Sequence, residues 1–147
     1  MSWRVTIPGQ AMSVNHIYQN TLRVSREGRR YQARKLTAEA QAYLDGAIYL
    51  IRAAKPRNWA PEGQIRVIFD LYLTRDIDCD NTMKLVSDAL EAATGINDSR
   101  FLHCTRSKTT RLLLSQARIE LEVLDLSQSP SLEAALSEPS QRPSSTS

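Results

Sequence analysis

From Ile65 to Leu73 the chain alternates without a break, with Ile65, Val67, Phe69, Leu71 and Leu73 on one side and Arg66, Ile68, Asp70 and Tyr72 on the other. Side chains of a strand point alternately to opposite faces, so this run buries its apolar side only as a strand lying on a core. Just beyond it the sequence reads Asp76-Ile-Asp78-Cys-Asp80-Asn81-Thr-Met-Lys84, then Asp88, then Gly95-Ile-Asn97-Asp98. If the strand persists, Asp76, Asp78 and Asp80 leave one face and repel one another. A cation between them relieves that repulsion, and hard all-oxygen donors select Mg²⁺, Mn²⁺ or Ca²⁺ over zinc.

The remaining elements follow from the same periodicities. Residues 3–7 alternate and stop at Pro8-Gly9, which predicts a first strand. The stretch around Glu27-Gly28 reads as a hairpin. From Thr37, an N-cap residue type, Tyr43, Ala47, Leu50, Ile51 and Ala54 recur at helical spacing until Pro56 intervenes. Asp80 is expected to cap a second helix over 81–93, with Leu85, Val86, Ala89, Leu90 and Ala93 inward, Asn81, Lys84, Asp88 and Glu91 outward, and Gly95 ending it. Strands are expected over 101–105 and 117–123, joined as a hairpin through the polar run at 106–111. The fold class is α+β, a mixed sheet with two main helices, over residues 1–125. Residues 126–147, rich in Ser and Pro, are expected to form a disordered tail because they cannot bury enough surface to offset ordering.

A chain of 147 residues suits one domain with a modest core, to which dimerisation would add burial. The formal charge of +3 is unevenly placed: Arg23, Arg26, Arg29, Arg30, Arg34 and Lys35 gather within 21–35 against the single acid Glu27. Such a hairpin is either a solvated surface or an electrostatic contact for a polyanion. Cys79 and Cys104 form no metal-binding pair and sit at expected strand positions, which reads as reduced, partly buried thiols in a cytoplasmic protein. No secretory leader pattern opens the chain, and no apolar run approaches the roughly 18 residues of a membrane span.

Two plainer readings of the acids compete with a Mg²⁺ site. Asp76-x-Asp78-x-Asp80-Asn81 imitates the start of a calcium loop, but counting from Asp76 the sixth residue is Asn81 rather than Gly and the twelfth is Ser87 rather than Glu. A solvated strand-to-helix turn explains Asp80 through the helix dipole, yet leaves Asp76 and Asp78 stacked beside it and gives Lys84 no role.

Asp78-x-Asp80-Asn81-x-x-Lys84, with Asp88-Ala89-Leu90 and Gly95-x-Asn97-Asp98, resembles the central signature of the RusA family of Holliday-junction resolvases of bacteria, phages and prophages. Ile7-Pro8 and Ser13-Val14-Asn15-His16-Ile17-Tyr18 are similar to that family's opening motif, and together the matching segments span most of residues 3–123. The resemblance implies a homodimeric, Mg²⁺-dependent endodeoxyribonuclease, with Mn²⁺ able to substitute, that resolves four-way junctions by paired nicks. It implies Asp78, Asp80 and Asp98 as catalytic and metal-binding carboxylates and Lys84 as the essential lysine. In such a site a metal lowers the pKa of a bound water, Lys84 stabilises transition-state charge or positions that water, Asn81 holds a ligand or a metal-bound water in place, and Asp88 either orients Lys84 by an ion pair at spacing four or forms a plain surface salt bridge with it. Asn15, His16, Arg23, Arg26, Arg29, Arg30, Arg34, Lys35 and Arg75 are the expected DNA contacts. Asn97 stands where the family carries a second acid, and Asp76 where basic residues are common. The alternative is a branched-DNA-binding module of the same fold that no longer cleaves.

A helix between Asp80 and Asp98 carries the chain roughly 18–20 Å away from the first two acids, at about 1.5 Å per residue. The few residues after Ala93 return at most about 17 Å. Either Asp98 comes straight back along the helix, or it meets Asp78 and Asp80 of a second subunit.

Overall fold

The alternating run folds as its pattern requires. In the computed structural model, which describes residues 2–128, it forms β4 (Ile65–Tyr72), the strand on which the rest of the sheet is assembled. Its apolar side is fully enclosed, with Ile65, Val67, Phe69, Leu71 and the following Leu73 all at 0 % exposure. In chain order the other elements are β1 (Ser2–Pro8), β2 (Tyr18–Val24), β3 (Arg30–Leu36), α1 (Ala38–Ala54), α2 (Cys79–Thr94), β5 (Phe101–Thr109) and β6 (Arg118–Asp125). The main sheet runs β1-β6-β4-β5, while β2 and β3 pair only with each other. β5 is parallel to β4, and the β1–β6 and β4–β6 pairs are antiparallel, so the sheet is mixed and the class α+β.

Both helices lie over one face of that sheet. α1 starts where Thr37 accepts a hydrogen bond from the Ala40 amide at 3.1 Å, and its Ala47 and Ile51 are buried in the main core. α2 adds Val86, Ala89 and Leu90 to the same core, with Trp3 and Trp59 stacked edge to face at one end. A second cluster of Ile17, Ala40 and Leu85, flanked by Leu36 and Tyr43, ties the base of the β2–β3 hairpin to both helices. Burial of the Tyr43 hydroxyl raises its pKa well above the ordinary tyrosine value.

Three expectations are corrected. The hairpin through 106–111 does not form: β5 continues to Thr109 beside β4, and β6 enters on the opposite edge of β4, between it and β1. A β5–β6 hairpin would have left one edge of a fully buried strand unpaired, and buried backbone groups need partners. The polarity that read as a turn belongs to strand residues with assigned partners. Arg106 binds Asp70 and Glu122, Ser107 donates to Asp70 at 2.6 Å, and Lys108 pairs with Asp76. Second, α2 begins at Cys79 and not after Asp80; Asp78 holds the N-cap position, where its carbonyl accepts from the Asn81 amide at 3.1 Å. The far end is as expected, since Gly95 adopts φ 70° and donates its amide to Glu91. Third, Cys79 lies in a helix and Cys104 is exposed, both as free thiols.

At the end of β6 the chain stays tied for three more residues, with the Leu126 amide on the Gln64 carbonyl at 3.1 Å and the Ser127 amide on the Asp125 carboxylate at 2.9 Å. The rest of the expected tail, 129–147, lies outside the described residues. Among the described residues no helix is long and apolar enough to cross a membrane.

Asp70 offers a direct check on the sheet. It sits at 8 % exposure on the face away from the helices, and the Arg106 guanidinium, with Ser107, holds its carboxyl below the usual carboxylate range. A depressed folded-state pKa stabilises the protein above the unfolded-state value and loses that contribution as pH falls through the folded value. Asp70→Asn is expected to cost about 1–2 kcal/mol at neutral pH, reduced because Arg106 is half exposed. In urea denaturation the gap between variant and wild type should close as pH drops below 4.

Candidate metal and nucleic-acid site

β4 ends at Tyr72, so the three acids that follow do not project from one face of a strand. Asp76 lies in the connecting turn and pairs with Lys108 at 2.6 Å; that lysine's hydrogen bond and charge hold the Asp76 carboxyl below its ordinary range. Asp78 and Asp80, both exposed, stand at the N-cap and in the first turn of α2. There the partial positive charge of the helix end relieves part of their repulsion. Asp98 sits in a 3-10 turn, Asp98–Arg100, beyond the other end of α2 and just before β5.

The crossover β4–α2–β5 dictates this separation. Because β5 runs parallel to β4, the chain must travel back along the sheet, and α2 makes that journey over sixteen residues. Arg100 anchors the returning turn, donating to the Pro61 and Gly63 carbonyls at 2.6 and 2.9 Å. Among the described residues no three His, Cys, Asp or Glu side chains are grouped so as to hold a metal ion. The carboxylates suit Mg²⁺ by donor type, but one chain does not gather Asp78, Asp80 and Asp98 into a three-ligand set.

Lys84 is held as expected. Its ammonium contacts Asp88 at 3.0 Å across one turn of α2, and this bond, helped by the nearby Tyr18 and Asp98, raises its pKa against a partial loss from desolvation. The His103 ring leans on Phe69 and Phe101 and approaches Ser87 Oγ at 3.3 Å. Desolvation pushes the His103 pKa down and Asp98 partly restores it. Asn81 is half buried, and Asn97 caps the 3-10 turn by accepting from the Ser99 amide at 2.9 Å. The oxygen that could have replaced the missing acid is therefore engaged locally.

The expected DNA contacts form a distinct feature. Arg23, Arg26, Arg29, Arg30, Arg34 and Lys35 are all exposed on the β2–β3 hairpin, closed by a turn in which Gly28 adopts φ 80° and the Ser25 carbonyl accepts its amide. Arg34 lies over the Tyr18 ring at 5.3 Å. Asn15 is exposed in the 3-10 turn Val14–His16, whose backbone carries His16; the His16 side chain is outside the described set. Arg75 is exposed in the turn before Asp76. Sequence reasoning missed Lys108, Ser87 and Tyr18 as neighbours of these groups. The signal for Lys108 was its alternation with Arg106 at the end of an apolar-led strand; the other two required the tertiary structure.

No protein-family model and no curated protein matches this chain. Among solved structures, 2C-methyl-D-erythritol 2,4-cyclodiphosphate synthase from Plasmodium vivax is similar over 83 % of this chain and 93 % of that one, at 12 % identity and a TM-score of 0.33. A similarity of that size carries no argument about fold or activity.

The Lys84–Asp88 pair yields a prediction separate from any reaction. Asp88→Asn should bring the Lys84 pKa down toward 10.5, read by NMR titration of the side-chain amine. Because the pair is exposed and at i,i+4 spacing, stability should fall by only about 0.3–0.5 kcal/mol.

Proposed function

We propose that this chain is a structure-selective endodeoxyribonuclease of the RusA kind, acting on four-way junctions as a Mg²⁺-dependent homodimer. The observation that carries the reading is the setting of Lys84: its ammonium is ion-paired to Asp88 at 3.0 Å on the helix that begins with Asp78 and Asp80. An ammonium so held neutralises a phosphate oxygen in the ground state and gains as charge develops there during cleavage. The basic hairpin supplies backbone contacts whose strength falls with salt.

The reading places the third carboxylate across a dimer. Since one chain does not gather the three carboxylates, Asp98 of one subunit would stand beside Asp78 and Asp80 of another. A twofold dimer also suits the substrate, because a four-way junction has approximate twofold symmetry and an isologous dimer presents two equivalent centres to two equivalent strands. The separation of the carboxylates also favours a second reading, a branched-DNA-binding module that does not cleave.

A labelled synthetic junction incubated with Mg²⁺ separates the two readings. Cleavage supports the nuclease, and a gel shift without cleavage supports the module. For the nuclease, Asp78→Asn or Asp80→Asn should abolish cleavage and leave binding intact or tighter, as each removes negative charge near phosphate. Mixed dimers of Asp78→Asn and Asp98→Asn chains should regain one intact centre and nick one strand. If the centre lies within one chain, no mixed dimer recovers.

A further inference from the structure

Phosphate contact explains the arginines of the hairpin but leaves its apolar tip unexplained. Leu22 and Val24 stand two apart on one face of β2, opposite Gln32 and Arg30, and are 65 % and 64 % exposed. The hairpin base is fixed by Ile17 and Leu36, while nearly every residue beyond it is exposed on both faces. Seven residues of strand carry the tip roughly 23 Å outward at about 3.3 Å per residue. The tight turn at Ser25–Arg29 keeps it narrow; Arg30 lies opposite Val24 on the same face, Arg26 and Arg29 lie in the turn, and Arg23 projects from the other face.

We propose that Leu22 and Val24 form a wedge that enters the base stack at the branch point of DNA while the hairpin arginines hold the backbone. The proposal rests on the DNA-binding reading above. Two-stranded ribbons fit a DNA groove, and apolar side chains inserted between base steps are repaid by the added contacts of the distorted duplex. At a branch point the stack is already interrupted, so insertion costs less there than in continuous duplex. The tip would therefore prefer junctions without reading sequence. Six cations against the single acid Glu27 within residues 21–35 favour a polyanion, DNA, as its occupant. The acids on the open face of the sheet are already matched, Asp70 and Glu122 by Arg106, Glu122 also by Arg4, and Glu120 by Arg118.

The test uses the full chain without divalent metal, a four-way junction with 2-aminopurine at the branch point, and a linear duplex of the same arms. Wild type should raise the fluorescence on the junction. Leu22→Ala with Val24→Ala should remove that rise and lower the junction-over-duplex preference roughly tenfold, equivalent to about 1.4 kcal/mol, with an unchanged salt dependence. Arg26→Ala with Arg29→Ala should instead flatten the log–log salt slope by about 0.9 per lost contact and retain the rise at saturation. Unstacking by the Leu22/Val24 variant equal to wild type overturns the wedge. Tight binding by wild type with no fluorescence change overturns it and leaves the DNA reading standing; no binding to either DNA overturns both. Dissociation of a dimer by the Leu22/Val24 substitutions, measured by ultracentrifugation, would assign the tip to a second copy and overturn the wedge.

Discussion

The pairing of β4 on both edges governs the architecture. A strand whose inward side chains are all at 0 % exposure cannot leave either row of backbone groups unsatisfied, so it takes β6 on one edge and β5 on the other. Each large aliphatic or aromatic side chain so buried contributes about 1.5–3 kcal/mol, which makes this strand a large part of what offsets chain entropy. β6 arrives antiparallel and brings β1 with it. β5 must arrive parallel, which obliges α2 to cross over the sheet. The position of every acid in the candidate site descends from that one obligation.

The crossover sets a tension between motif and monomer. Asp78, Asp80 and Lys84 are held by the start of α2, whereas Asp98 depends on the turn that follows it and on Arg100 gripping the carbonyls of Pro61 and Gly63. Lys84 is turned to Asp88 one turn further along the helix, at 3.0 Å.

Legibility in the sequence followed the strength of periodicity. β4, β6 and α1 were readable because burial on one face leaves a pattern of period 2 or 3.6, and the glycine endings at Gly28 and Gly95 were readable because positive φ selects that residue. β5 was misread past Thr105 because Arg106, Ser107 and Lys108 look like a turn when their partners are unknown. Those partners, Asp70, Glu122 and Asp76, lie far off in sequence, and no local signal couples them. The start of α2 was missed for a related reason. Asp80 is as good a cap by residue type as Asp78, and the choice is made by where β4 stops. Within the candidate site, the Lys84–Asp88 pair was legible from i,i+4 spacing, while the engagement of Asp76 by Lys108 and of Asn97 by Ser99 was not.

The hairpin obeys a different economy from the core. A two-stranded ribbon is marginal by itself in water, and this one persists because Ile17 and Leu36 clamp its base into the cluster with Ala40 and Leu85. Above the base the stabilising contacts are cross-strand ones, the stacking of Arg34 on Tyr18 and, midway along, the Thr21 hydroxyl on the Ala33 carbonyl at 3.2 Å. Substitutions at the exposed end therefore leave the core unchanged, so that part of the chain carries charge and apolar surface free of packing constraints. The anchored base meets α2 through Leu85, so the arm and the helix that carries Lys84 share one small apolar cluster.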